Sequence, residues 1–167
     1  MNKINIKKLK VEKWINLLDN TKYKILFNDK KFYQDFLSSL LHKSIFSDKQ
    51  FMDIINDITK MEIGNHDIFE TIGDRVLNLI VIEHLYNENK NMSIGSLTLE
   101  LQKIVCRKNL NMKMKSSIFK DLILHNVDNI EKSDVYGDIL EAIIGVFYIN
   151  KGLEAAKNLL INEFNVI

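Results

Sequence analysis

Apolar positions along the chain recur at three- and four-residue spacing, with almost no stretch of strict alternation, so the pattern predicts helices throughout. "VEKWINLLD", 11 to 19, places Trp14 and Leu17 or Leu18 on one face of a first helix. "DKKFYQDFLSSLLHKSIF" follows as one helix with Phe32, Phe36, Ser39, Leu40 and Lys43 in register. "SDKQFMDIINDITKM" carries a stripe of Phe51, Ile54, Ile55 and Ile58, with Ser47 as the N-cap candidate. A long helix then begins near Asn65 and runs to about Tyr86, and "NENKNMSIGS" reads as a loop. "LTLELQKIVCRKNLNMKMKSSIF" is one or two helices, and "HNVDNIEKSD" is a polar connection. "VYGDILEAIIGVFYINKG" is a second strongly apolar helix closed by Gly152, and "LEAAKNLLINEF" a final amphipathic one with Leu153, Ala156, Leu160 and Phe164 on one face.

Composition strengthens the all-α reading. The 167 residues contain no proline and only six glycines, which removes the usual helix breakers and most tight-turn signals. That length suits one domain with a proper core. No apolar stretch reaches the roughly 18 uninterrupted residues of a membrane span. The single cysteine, Cys106, supports neither a disulfide framework nor a cysteine-based zinc site. Residues 1–10 read as a polar, basic arm without the apolar run of a secretory signal. An intracellular protein is expected, in cytoplasm or nucleus, with an organelle left open.

Net charge is +1, so affinity for nucleic acid must come from local patches. Lys7, Lys8, Lys10 and Lys13 form one, and Lys103, Arg107, Lys108, Lys113, Lys115 and Lys120 another; from Gln102 to Lys120 no acid occurs. Such runs serve either as solvated helix faces or as phosphate-binding surfaces.

The two most apolar helices each carry a pair of acids. At about 100° per residue, Glu70 and Asp74 share a face, as do Asp138 and Glu141. Like charges so placed weaken an isolated helix by a few tenths of a kcal/mol, which calls for a compensating cation. Either lysines or Arg75 neutralise each pair, or the helices pack together and four carboxylates form an oxygen-rich pocket for hard divalent cations. Gly73 and Gly145 lie beside these acids. Each costs about 1 kcal/mol relative to alanine inside a helix, and a close approach of the two helix backbones accounts for both.

These residues carry a family resemblance. "HDIFETIGDRVLNLIVIEHLY" resembles the signature helix of the ribonuclease III catalytic domain, Glu-x-x-Gly-Asp-x-Val-Leu, with Glu70 and Asp74 on its acids. "YGDILEAIIGVFYINKG" resembles the second motif, Gly-Asp-x-x-Glu-Ala-x-x-Gly-x-x-Tyr, with Asp138 and Glu141 on its metal-binding acids. "SLLHKS" around His42 and "GSLT" at 95–98 are similar to supporting motifs. The resemblance runs from about Phe27 to Phe164 and assigns 11–167 to the catalytic domain. It implies an all-α homodimer in which Glu70, Asp74, Asp138 and Glu141 hold Mg²⁺, with Mn²⁺ as a substitute, and cut double-stranded RNA to leave 5′-phosphate and 3′-hydroxyl ends. Asp67 is then a supporting acid, shorter than the usual glutamate. Thr71 stands in place of a phenylalanine thought to pack across the dimer, Ile94 in place of a frequent acid, and Asn150 in place of an aspartate. A double-stranded-RNA-binding domain is not expected after Phe164, so RNA contacts fall to local basic residues, Lys103, Arg107 and Lys108 foremost.

Two other readings remain at this level. A catalytically silent relative of the family would act as an RNA-binding, heterodimer or ribosomal subunit. An HD-type phosphohydrolase would use His42, the His66–Asp67 pair and a later aspartate. Outside the HD-type reading, His66 is a polar residue at a helix start.

Overall fold

The computed structural model describes residues 2–64, 66–132 and 134–167. Among these, the secondary structure is helical, with one isolated parallel bridge between Leu41 and Leu124. The α-helices are α1 (Lys3–Asp19), α2 (Lys30–Ser39), α3 (Lys43–Phe46), α4 (Lys49–Thr59), α5 (Asp67–Glu88), α6 (Ile94–Val105), α7 (Arg107–Ser116), α8 (Val135–Lys151) and α9 (Leu153–Asn162). Short 3-10 helices at Lys22–Asn28, Ile118–Leu122 and Ile130–Lys132 link them.

At the centre, α5 packs along α8 more extensively than any other helix pair among the described residues, with α2, α7 and α9 also set against α8. Helix α8 is apolar on nearly every side and buries Ile139, Leu140, Ile143, Ile144 and Val146 completely. Each such side chain contributes about 1.5–3 kcal/mol of transfer free energy. The α5 side of the seam adds Leu77, Ile80 and Val81, also fully buried. An aromatic group of Tyr23, Phe32, Phe36, Phe119 and Phe147 fills the space under α2, with ring centroids 4.9–6.3 Å apart.

Both glycines sit where α5 and α8 touch. A Cβ on Gly73 would lie 1.7 Å from the Glu141 carbonyl oxygen, and one on Gly145 would lie 2.0 Å from that of Phe69. The helices therefore meet backbone to backbone, at two points one turn apart on α5.

Several boundaries differ from the sequence pattern. Residues 3–10 of the polar, basic N-terminal segment form the first turns of α1, tied to the rest of the fold by the ion pair of Lys7 with Asp48 at 2.7 Å. Trp14 fastens the same helix by donating from Nε1 to the Leu122 carbonyl at 2.7 Å. The single helix expected through Phe46 divides into α2 and α3, because Leu40 and His42 exchange backbone hydrogen bonds with Leu124, at 3.0 and 2.9 Å. His42 then caps α3, its Nδ1 accepting from the Ser44 N–H at 3.0 Å. Asp48, not Ser47, caps α4, because its carboxylate accepts from the Phe51 N–H at 3.1 Å while Ser47 closes α3. The expected start of α5 near Asn65 lies outside the described residues, and the described helix begins at Asp67. Ser93 caps α6, whose helix thus begins inside the expected loop. An extended Cys106 separates α6 from α7. Gly152 ends α8 at φ 83°, donating to the Tyr148 carbonyl at 2.8 Å.

Candidate active site

The α5–α8 contact carries acids from both helices to one place. Glu70, Asp138 and Glu141 each present a carboxylate oxygen within 4.8 Å of the others. Their side chains are neither fully buried nor freely solvated. Burial raises Glu141 most, and the charges of Asp74, Asp138 and Glu70 raise it further, from the usual 4.5 to about 7. Burial likewise pushes Glu70 upward, reinforced by Asp138 and Asp67 and opposed by Arg107 and Lys43. Ionising these carboxylates is costly first because they are partly buried and second because they lie close together.

Asp74 lies one turn along α5 and outside this close group of three. Its Oδ1 accepts from Asn78 Nδ2 at 2.9 Å, and its Oδ2 pairs with Arg75 at 3.2 Å. Asn78 also donates to the Asp74 carbonyl at 2.6 Å, fixing the carboxylate against its own helix. Asn78 was passed over in the sequence although it stands four residues after Asp74, a spacing that signals such a contact.

Arg107, grouped by sequence with the RNA-contacting residues, sits at the acids. Its guanidinium donates to Asp138 Oδ1 at 2.5 Å and to the Asp134 carbonyl at 3.2 Å. Asp138 first, then Glu141 and Glu70, hold its pKa above the ordinary arginine value. Neighbouring Asn111 was also missed: its Oδ1 accepts from the Gly137 N–H at 2.6 Å, and its Nδ2 donates to Asp134 at 3.2 Å. It thereby anchors the first turn of α8, which carries Asp138.

Arg107, Lys108 and Lys115 line a groove of about 480 Å³ beside the acids, together with Asn111, Met112 and Asp134. Lys103 lies away from that groove, paired with Glu100 at 2.6 Å. Much of the basic run is committed within the fold: Lys115 donates to the Glu131 carbonyl at 2.8 Å, Lys120 pairs with Glu131 at 2.8 Å, and Lys113 donates to the Asn165 carbonyl.

A second metal-competent group consists of His66, Asp67 and Glu70. Both His66 and His42, the histidines of the HD-type order, are buried, and His42 is engaged in capping α3. On α5, Thr71 faces an apolar groove of about 330 Å³ formed with Ile72, Arg75, Val76, Leu79 and Tyr148. Asn150 donates to the Val146 carbonyl at 2.9 Å and to Asp35 at 3.2 Å.

Comparison with known proteins places this arrangement. A family model described as Ribonuclease-III-like matches residues 33–165. Ribonuclease 3 of Pelagibacter ubique (strain HTCC1062) is 32% identical over 145 residues, covering 84% of this chain and 57% of that protein. Ribonuclease 3 of Syntrophomonas wolfei is 30% identical over 109 residues, covering 62% of this chain and 47% of that protein. The chain spans about half the length of the curated relatives it matches. Among solved structures, the nuclease domain of ribonuclease III from Campylobacter jejuni, described for structural flexibility in the region involved in its dimer formation, aligns with a TM-score of 0.62. That match has 27% identity and covers 91% of this chain and 92% of the other. With the paired glycines and paired acids of α5 and α8 inside the matched segment, this chain belongs to the ribonuclease-III-like family.

Proposed function

We propose that this chain is the catalytic domain of an endoribonuclease that cleaves double-stranded RNA by metal-assisted phosphodiester hydrolysis. The observation that carries the reading is the convergence of Glu70, Asp138 and Glu141, from two helices, within 4.8 Å. The donor set fits a hard divalent cation. It is all oxygen, burial first and repulsion by the neighbouring acids second raise Glu141 to about 7, and a cation would relieve that cost. Glu70, Asp138 and Glu141 would hold the metal, with Asp74 one turn away to extend the set. Two Mg²⁺ ions held there, or Mn²⁺ in their place, would supply positive charge for an in-line hydrolysis in which water attacks phosphorus and the bond to the 3′ oxygen breaks. The products carry 5′-phosphate and 3′-hydroxyl ends.

The protein's own groups prepare that event. Asn78 restrains Asp74, and Asn111 fixes the helix turn that bears Asp138. Arg107 holds Asp138 while its side chain stays more than half exposed, where a substrate phosphate could approach it. Lys108 and Lys115 continue the basic groove along which a duplex backbone would lie. Lys103 stands farther out as a peripheral contact. Duplex RNA is read mainly through shape, phosphates and 2′-hydroxyls, so sequence preference is modest and binding weakens steeply with salt.

The catalytic unit is a homodimer, paired through the apolar groove at Thr71, Leu79 and Tyr148. Leu79 is 55% exposed there, Tyr148 is 37% exposed, and the C. jejuni domain is described as forming dimers. The test is digestion of long double-stranded RNA with Mg²⁺. The wild-type protein cuts it and Glu141→Gln does not. Intact RNA at every protein concentration, with Mn²⁺ as well as Mg²⁺, refutes the proposal.

A further inference from the structure

The N-terminal lysine run and helix α3 have no part in the site as described so far. Asp48 engages Lys7, but Lys10 and Lys13 are exposed and make no ion pair among the described residues. They line a groove of about 280 Å³ between α1 and residues 121–125, together with Trp14, Leu17, Ile123 and His125, and its one acid is Asp121. Leu124, also in the groove, bonds to Leu40 and His42 through the backbone, and His42 caps α3. Lys43 is the first residue of α3, exposed and again without an ion pair among the described residues. Burial first, then the charges of His125 and Lys43, hold the pKa of His42 down, so the groove and Lys43 meet at His42. Helix α3 in turn rests on the start of α5 through Phe46 and His66, whose ring centroids are 5.4 Å apart. Burial, Asp138 and Asp67 raise Glu70, and the cations opposing them are Arg107 from α7 and Lys43 from α3.

We infer that Lys43, Lys10 and Lys13 form a second track for the RNA backbone, which leaves the acids by way of α3 and enters the groove beside α1. The inference deepens the hydrolase reading and rests on it for the identity of the anion. Duplex RNA extends in both directions from the phosphate being cut and is held chiefly through its backbone. Arg107, Lys108 and Lys115 serve it from α7, whereas Lys43 approaches Glu70 from another helix, so two basic surfaces adjoin the same acids. Lys7, Lys115 and Lys120 are tied to acids or carbonyls of the fold, but the three lysines of this track hold nothing inside it and remain available to an external anion. Lys10 and Lys13, three residues apart, are neighbours on one face of α1. The apolar side chains between them and the 121–125 segment form low-dielectric walls that strengthen the attraction of a phosphate for both ammonium groups.

The test is fluorescence anisotropy titration of a labelled RNA duplex over a series of salt concentrations, with Ca²⁺ in place of Mg²⁺ and a denaturing gel to confirm that the strands stay whole. The proteins are the wild type, Lys43→Ala, Lys43→Arg, the double variant Lys10→Ala/Lys13→Ala, and Lys24→Ala as an exposed lysine outside the groove. Each lost phosphate contact lowers the slope of log affinity against log salt by about 0.9. Lys43→Ala should therefore lower the slope by about one and the double variant by about two, each with a several-fold loss of affinity at fixed salt. Lys43→Arg restores the slope, and Lys24→Ala leaves it unchanged. Circular dichroism melts that match the wild type establish that the variants are folded. An unchanged slope in Lys43→Ala or in the double variant, or an equal drop in Lys24→Ala, overturns the inference. A wild type that binds and cuts the duplex while those slopes stay unchanged refutes the second track alone, and a wild type that neither binds nor cuts refutes the hydrolase reading with it.

Discussion

Replacing Gly73 with alanine tests the central feature of the molecule. Inside a helix the substitution normally gains about 1 kcal/mol from backbone entropy and propensity. Here the new methyl would stand 1.7 Å from the Glu141 carbonyl oxygen and 2.6 Å from its carbon, where ordinary contact begins near 3.4 Å. The helices must part by up to about 1.7 Å, the shortfall of the carbonyl oxygen contact from ordinary van der Waals distance, or α5 must bend. Overpacking against side chains costs about 1–3 kcal/mol. Both obstructing atoms here are backbone and cannot turn aside, so the steric cost is at or above the top of that range and outweighs the gain in propensity. A net loss of about 2–3 kcal/mol lowers the midpoint of a chain this size by roughly 4–12 °C. Gly145→Ala should behave alike, since its methyl meets the Phe69 carbonyl oxygen at 2.0 Å. Gly95→Ala in α6 meets nothing within 4 Å and should gain up to about 1 kcal/mol. Urea and thermal unfolding followed by circular dichroism measure all three. A Gly73→Ala protein as stable as the wild type, or stabilised like Gly95→Ala, refutes the backbone contact.

Glu141 sets a pH dependence in metal-free protein. Its folded pKa, about 7, lies above its unfolded value, so its contribution to stability is fully present below about pH 4.3 and is lost as pH rises towards 7. A shift of that size corresponds to about 3 kcal/mol, reduced to about 2 by partial solvation. In EDTA, the stability advantage of Glu141→Gln over wild type should grow by about that amount between pH 5 and pH 8, as read by urea unfolding; a pH-independent difference contradicts the assignment. Leu79→Asp places a charge on the exposed apolar groove and should shift the protein towards monomer in sedimentation equilibrium while leaving its helical signal unchanged. A wild type that is already monomeric at high concentration would rule out pairing through this face.

The seam between α5 and α8 was the most legible part of the fold, because acids and glycines interrupt two otherwise apolar helices and such interruptions need a local cause. Three of the four carboxylates, Glu70, Asp138 and Glu141, converge where the backbones close, and Asp74 stands one turn away. What escaped the sequence depended on partners distant along the chain. Lys7 looked like part of a solvated basic arm because Asp48 is 41 positions away. The break after α2 follows from Leu124, which offers no local signal near Leu40. Arg107 read as one cation in a basic run, and only folding brings it to Asp138, 31 positions later. His66 read as polar punctuation at a helix start, whereas packing against Phe46 removes it from water.

The fastening of α1 carries a consequence for how the chain reaches this state. Trp14 docks on a carbonyl 108 positions further along, so α1 can form and settle against α4 early in synthesis, while its indole lacks that hydrogen-bond partner until Leu122 is available. Closing so long a loop is entropically costly and slow compared with forming the helices themselves. Helix α1 is therefore made well before the segment that receives its indole, and the last fastening of the first helix belongs to the late part of the chain.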